Sequence, residues 1–143
     1  MDNSASYSRG ARNNNPANIR LGSKWLGLCK NQTDKDFCQF VSMLYGVRAF
    51  LVLCRTYRNK YGITTLREFI HRFAPSNEND TEAYFRYLIK YVPRVLSFEY
   101  DYYTLAHYVF RYESGVKISI DTINMIAGSF YISIISKDLF SPP

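Results

Sequence analysis

"SMLYGVRAFLVLCRTYRNKYG", residues 42 to 62, is the stretch that sets the fold class. Leu44, Val47, Phe50, Leu51, Cys54 and Tyr57 recur at spacings of three and four, the period that lays one apolar stripe along a helix. Ser42 is a natural N-cap, because its hydroxyl can accept from an unpaired amide of the first turn. Gly62 suits the position beyond the last turn, where a left-handed backbone carries no Cβ penalty. The pattern predicts one long helix with a buried face, and such a face needs partners.

The partners follow in order. In "TTLREFIHRFAP" (64–75), Thr65 and Glu68 form a capping-box pair, Leu66, Phe69, Ile70 and Phe73 supply a buried face, and Pro75 follows the stop. "SNENDTEAYFRYLIKYV" (76–92) offers Asn79 or Asp80 as cap, turns Tyr84, Leu88 and Tyr91 or Val92 inward, and ends before Pro93. Asp101 is read as the cap of the next helix, with Leu105, Val109 and Tyr112 inward and Gly115 as terminator. A last helix is expected to start after Asp121 and to take in Ile123 to Ile135, although "YISIIS" is β-branched. Residues 13 to 40 carry Asn, Gly and Pro without helical period, which predicts an irregular loop or short β region; "DFCQF" (36–40) alternates like a strand. The expectation is a mainly α fold of about five helices, with residues 1–12 as a flexible arm and 13–143 as a single domain.

Composition agrees and narrows the function classes. At 143 residues the chain can bury an ordinary core, and 47% hydrophobic with 21% charged residues is globular usage. The formal charge of +6 favours an acidic partner. Lys and Arg are scattered singly, however, so a nucleic-acid stripe is not indicated. Thirteen tyrosines suit half-wet surfaces such as sugar clefts, and equally the closure of a small helical core. Cys29, Cys38 and Cys54 have neither CxxC spacing nor a neighbouring His pair, so no zinc or other metal site is expected, and free thiols are favoured over a Cys29–Cys38 pair. There is no Walker loop, no dinucleotide fingerprint and no G-x-S-x-G, hence no cofactor expectation. His71 and His107 are read as structural. The polar start "MDNSASYSRGARNNNP" has no apolar signal core, and no 18-residue apolar stretch exists to span a membrane. Synthesis in a bacterial cytoplasm without a signal peptide is the corresponding expectation.

Among the twelve carboxylates, most have local explanations at helix starts or in polar loops. Glu113, in "RYESGVK" (111–117), does not. It sits near a helix C-terminus, where the dipole disfavours a negative charge, and follows the apolar run "TLAHYVFRY". Desolvation there would raise its pKa and make it a proton donor near neutrality. The competing reading is an exposed glutamate in a fraying turn, paired with Arg111 or Lys117.

"RNNNPANIR" (12–20), "WLGL" (25–28), "FCQF" (37–40), "YGVRAF" (45–50), "YGITTLREFIHRFAP" (61–75) and "ENDTEAY" (78–84) together resemble a group of phage- and prophage-encoded proteins. The usual string of that group is Asn-Asn-Pro-Gly-Asn-Ile-Arg, and its members are described as virion structural or peptidoglycan-degrading proteins. Ala17 replaces the usual glycine, which puts a tight turn there in question. More distantly, "NPANIR", "KWLG" and "FCQF" are similar to the segment that follows the catalytic Glu in flagellar-type glucosaminidases and other lysozyme-like hydrolases. "YESG" (112–115) is similar to the Glu-Ser-Gly of soluble lytic transglycosylases.

The resemblances imply a lysozyme-like helical domain, circularly permuted so that the acid follows the Asn loop in sequence. They imply Glu113 as catalytic acid and base, with Asn15, Asn18 and Arg20 binding sugar hydroxyls or acetamido groups, Trp25 stacking on a sugar face and Ser114 orienting Glu113. The implied activity is glycan-strand cleavage in peptidoglycan, as lytic transglycosylase or muramidase, and the implied partners are peptidoglycan or another anionic wall polymer, and virion proteins. The implied location is the virion, or delivery to the periplasm and cell wall. The alternative is a non-catalytic virion or wall-binding protein of the same shape.

Overall fold

A computed structural model describes residues 7–135. Its element order is α1 (Arg9–Arg12), α2 (Met43–Tyr61), α3 (Leu66–Phe73), α4 (Thr81–Leu88), α5 (Glu99–Ser114) and α6 (Ile120–Ser129). Among the described residues there is no β-sheet; Arg20–Phe37, Leu28–Phe40 and Thr65–Val95 form isolated antiparallel bridges. The strand expected at residues 36–40 is therefore a pair of single bridges within an irregular loop. The fold is mainly α.

The long helix is α2, which buries Val47, Phe50, Leu51 and Cys54 as its spacing predicts. Phe50 is the hub of the core. Its ring meets those of Phe69, Phe73 and Phe110 edge-on, with centroids 5.9, 5.7 and 5.4 Å away. Edge-to-face contact sets the positive rim of one ring against the negative face of the next, adding about 0.5–1.5 kcal/mol per pair beyond area burial. Helices α2, α3 and α5 are thus joined by one aromatic cluster. α6 packs on α2 and α5, and α4 on α3 and α5.

Helix ends follow the local chemistry. Gly62 and Gly115 both take left-handed backbone, with φ of 65° and 70°. Thr65 Oγ1 accepts from Glu68 N, and Asp80 accepts from Ala83 N. Ser42 flanks α2 but makes no side-chain capping bond.

Other expectations are corrected. α5 begins at Glu99, so Asp101 lies inside it, and its carboxylate reaches back to the amides of Ser97 and Phe98 at 2.9 and 2.8 Å. α6 is capped by Ser119 rather than Asp121, and it ends at Ser129. Tyr131, at φ 55°, turns the chain out of helix before the β-branched run. Glu99 then accepts from Ser133 Oγ and from the amides of Ile134 and Ile135, tying that run to the start of α5. Leu44 and Tyr112, read as inward, are exposed, and of the alternatives Tyr91 and Val92 it is Val92 that is buried. Tyr112 covers Tyr84 with a stacked ring 3.8 Å away, and Tyr91 covers Tyr108 at 4.1 Å. Tyrosine spacing reads as core here because the rings pack on one another at the surface.

Arg9–Arg12 were expected to belong to a flexible arm. They form a helical turn, capped by Ser8, that docks on the end of α5. Residues 1–6 of that arm lie outside the described residues. Cys29, Cys38 and Cys54 are free thiols. No helix among the described residues is long and apolar enough to cross a membrane.

Candidate functional site: a half-buried carboxyl against the asparagine turn

The loop after α1 is organised by its own side chains. Asn15 is fully buried, and its amide donates to the carbonyls of Ile19 (2.9 Å) and Cys38 (3.0 Å) while its Oδ1 accepts from Ile19 N (2.9 Å). Asn14 Nδ2 donates to Phe40 O at 3.0 Å. These bonds satisfy backbone groups, among them the Ile19 amide and the Cys38 carbonyl, which is why asparagines fill the segment. Asn14 and Asn18 take left-handed φ values of 52° and 51°, which Asn tolerates better than other non-glycine residues. Ala17 has no positive φ, so the turn does not need glycine there; the left-handed step falls one residue later.

This turn faces the end of α5. A helix leaves its last carbonyls without intrahelical partners. Here they are met from the other end of the chain. Ser8 Oγ donates to Ser114 O at 2.7 Å, and Asn18 Nδ2 donates to Glu113 O at 3.0 Å. Ser114 Oγ reaches Pro16 O at 2.8 Å and Phe110 O at 3.1 Å. An alanine methyl at Gly10 would collide with Ser114 Cβ and Asn18 Oδ1, so glycine lets α1 sit directly on this junction.

Beside the junction, Glu113 lines a cleft of about 410 Å³. Ala17 to Ser23 and Trp25 of the loop line it together with Leu53 and Tyr57 of α2, Arg72 to Pro75, and Glu78 and Asn79. Asn18 Nδ2 also approaches Glu113 Oε1 at 3.3 Å. Burial pushes the Glu113 pKa above its ordinary value; the Tyr84 hydroxyl, the Asn18 amide and the Arg20 charge pull the other way without cancelling it. Tyr84 Oη is buried without a well-aligned hydrogen bond, and the charged group acting on it is the same carboxyl. The glutamate is therefore not the exposed residue of a frayed turn, and it makes no ion pair with Arg111 or Lys117.

The residues singled out from sequence divide in two. Glu113, Asn18, Arg20 and Trp25 line one cleft. Arg20 lies over the Phe37 ring at 5.1 Å and reaches Glu78 across the mouth at 3.6 Å. Trp25 is half-buried, with its indole N–H unpartnered. Asn15 and Ser114 lie behind the wall, with their polar atoms committed to the backbone. Both position the junction.

Sequence reading missed Tyr84, taken as core, and Glu78, taken as a carboxylate flanking a helix start. It also missed Tyr57 and Arg72, which no local pattern separates from ordinary helix-face residues. His71 lies 3.7 Å from Glu82, and His107 Nδ1 contacts Ile118 O; neither lines the cleft. No group of three or more His, Cys, Asp or Glu suited to a metal occurs among the described residues.

A carboxyl whose pKa burial raises, lining an open cleft with amide and guanidinium donors beside it, is placed to exchange a proton with a polar group that enters the cleft. The chain is similar to a phage protein. It is 42% identical over 84 residues to Protein P5 of Pseudoalteromonas phage PM2, a match covering 56% of this chain and 52% of that protein. The matched region is thus about half the length of the relative. No family model matches the chain.

Proposed function

We propose that this protein cleaves the glycan strand of peptidoglycan, with Glu113 as the single general acid and base, in the service of a phage or mobile element. The observation that carries this reading is the Glu113 carboxyl itself. Its burial holds it protonated to higher pH than an ordinary glutamate, and it lines a cleft of about 410 Å³. The domain is read as lysozyme-like and circularly permuted, with the acid at a helix end and the Asn turn beside it, a juxtaposition that the Asn18–Glu113 bond supports. Permutation is tolerated where a domain's ends lie close together on its surface.

The chemistry needs one proton to travel in both directions. Glu113 donates to the glycosidic oxygen, and the bond from that oxygen to the muramyl anomeric carbon breaks. The resulting carboxylate then removes the proton from the muramyl 6-hydroxyl as that oxygen closes on the anomeric carbon, or from a water that adds there. Asn18 holds the carboxyl in place through both steps, and Arg20 stabilises it while ionised. Trp25 offers a ring face to a sugar. Glu78, on the rim, is already engaged with Arg20 and is not assigned a role in bond breaking.

The test is release of soluble muropeptides from purified peptidoglycan by the native chain and by Glu113→Gln. Removing a general acid of this kind lowers the rate by about 10²–10⁴-fold, and the variant is expected to lose release while melting no lower than the native chain. The likeness to a phage protein also supports a second reading, a non-catalytic virion component that docks on the wall or on other virion proteins. Retention on peptidoglycan with no release by either chain would select that reading.

A further inference from the structure

The cleft does not end at Trp25. A second cavity of about 660 Å³ continues from it, sharing Trp25, Leu53, Tyr57 and Arg72 as a common wall and adding Lys24 and Tyr61. Its chemistry differs from that of the Glu113 end. None of its lining residues is acidic, while Lys24 and Arg72 both face it. Elsewhere on the surface, Arg9 is bound to Asp34 and Asp36, Arg20 to Glu78 and Arg67 to Glu82. Among the described residues Arg72 has no carboxylate partner; its guanidinium lies over the Tyr61 ring at 3.5 Å and near Tyr57 at 5.3 Å.

Stacking on a ring leaves the edge of a guanidinium, with its N–H donors, free for a planar acceptor. Burial also holds the Tyr57 hydroxyl up at about 12, so it remains a neutral donor. The Trp25 indole N–H, buried and unpartnered, is an unused donor on the shared wall.

We infer that this arm of the groove, built on Lys24, Arg72, Tyr57, Tyr61 and Trp25, is a subsite for a carboxylate substituent on the glycan strand. It would read the acidic groups that hang from muramyl residues while the sugar rings run past Trp25 towards Glu113. The inference rests on the reading of Glu113 as a glycan-cleaving acid, and it adds a polarity: the strand is oriented by its acidic substituents, not by its rings alone. A neutral oligosaccharide fills the same groove without that hold.

Binding is measured by calorimetry on the non-cleaving Glu113→Gln chain. The probes are an N-acetylglucosamine tetrasaccharide and two muramyl-containing tetrasaccharides, one with free lactyl carboxylates and one with stem peptides attached. A charge-assisted contact of this kind is expected to favour at least one acidic probe over the neutral one by about tenfold; the stronger of the two identifies the carboxylate source. Adding Lys24→Gln and Arg72→Gln should erase that preference, so that within the variant the acidic probes bind no better than the neutral tetrasaccharide. Arg72→Lys with Lys24 intact should retain part of it, which separates lost charge from disturbed packing around Tyr57 and Tyr61. No preference in the Glu113→Gln chain, or a preference that survives the double change, overturns the subsite and leaves the cleavage reading standing. If none of the three sugars binds at all, the glycan reading falls and the subsite with it.

Discussion

Glu113 stands where three influences meet. Burial and the negative end of the α5 dipole raise the cost of its charge, while Asn18, Tyr84 and Arg20 lower it, and burial prevails. That has a thermodynamic signature independent of any substrate. Below its ordinary pKa of 4.5, folded and unfolded chains both hold the proton and the group is neutral to stability. As pH rises from there, the unfolded chain ionises first. The folded state then loses stability until its own raised pKa is passed, beyond which the loss is constant. Glu113→Gln should therefore melt above the native chain at neutral pH and converge with it in acid, as calorimetry across pH would read. A native chain that gained on the variant as pH rose would mean that the donors outweigh burial.

Asn15 carries the opposite kind of role. Asn15→Ala strands the buried Cys38 carbonyl and Ile19 amide, while Ile19 O keeps its bond from Cys38 N, so about 2 kcal/mol or more of stability should be lost in denaturant unfolding.

At the scale of elements, the seating of the turn on α2 decides whether the cleft exists. Gly46 lies against Asn14 and Pro16, and a methyl there would fall inside contact distance of the Asn14 carbonyl oxygen. The opposing atom is backbone and cannot swing aside. Gly46→Ala should cost about 1–3 kcal/mol or more, and muropeptide release should fall with it, because the Asn turn that carries Asn18 is displaced. Guanidinium unfolding and the release assay read the two effects separately.

Elements of this kind were legible in the sequence to different depths. The helices around Phe50 follow from apolar spacing, and the ends at Gly62, Thr65, Asp80 and Gly115 from cap chemistry, since both signals are local. The end of α6 was misplaced because isoleucines at 132, 134 and 135 mimic a helix face, while the turn at Tyr131 has no residue signature. The docking of Arg9–Arg12 was not legible either: it depends on Ser8 and Gly10 meeting Ser114, more than a hundred residues away. The candidate acid could be picked out because its position contradicted the helix dipole. Its surroundings could not, because Tyr84, Arg72 and Glu78 come from elements whose relative placement is tertiary. Asn15 and Asn18 look alike in sequence, yet one faces inward to the backbone and the other faces the carboxyl.

For the molecule as a whole, two kinds of force would hold the proposed glycan near the cleft, and they differ in range. The formal charge of +6 is spread over scattered Lys and Arg, so it acts as a diffuse attraction towards an acidic wall. Inside the groove, ring faces, amides and the carboxyl act at contact distance. Exposed charges are screened beyond a Debye length of about 8 Å at physiological salt, whereas stacking and hydrogen bonds in a groove change little with salt. Retention of the Glu113→Gln chain on intact peptidoglycan should therefore weaken steeply between about 0.05 and 0.5 M salt, while its Kd for a neutral tetrasaccharide stays level. Co-sedimentation and calorimetry under matched salt check the two halves. Equal salt sensitivity in both would mean that charge, not the shape and chemistry of the groove, supplies the hold.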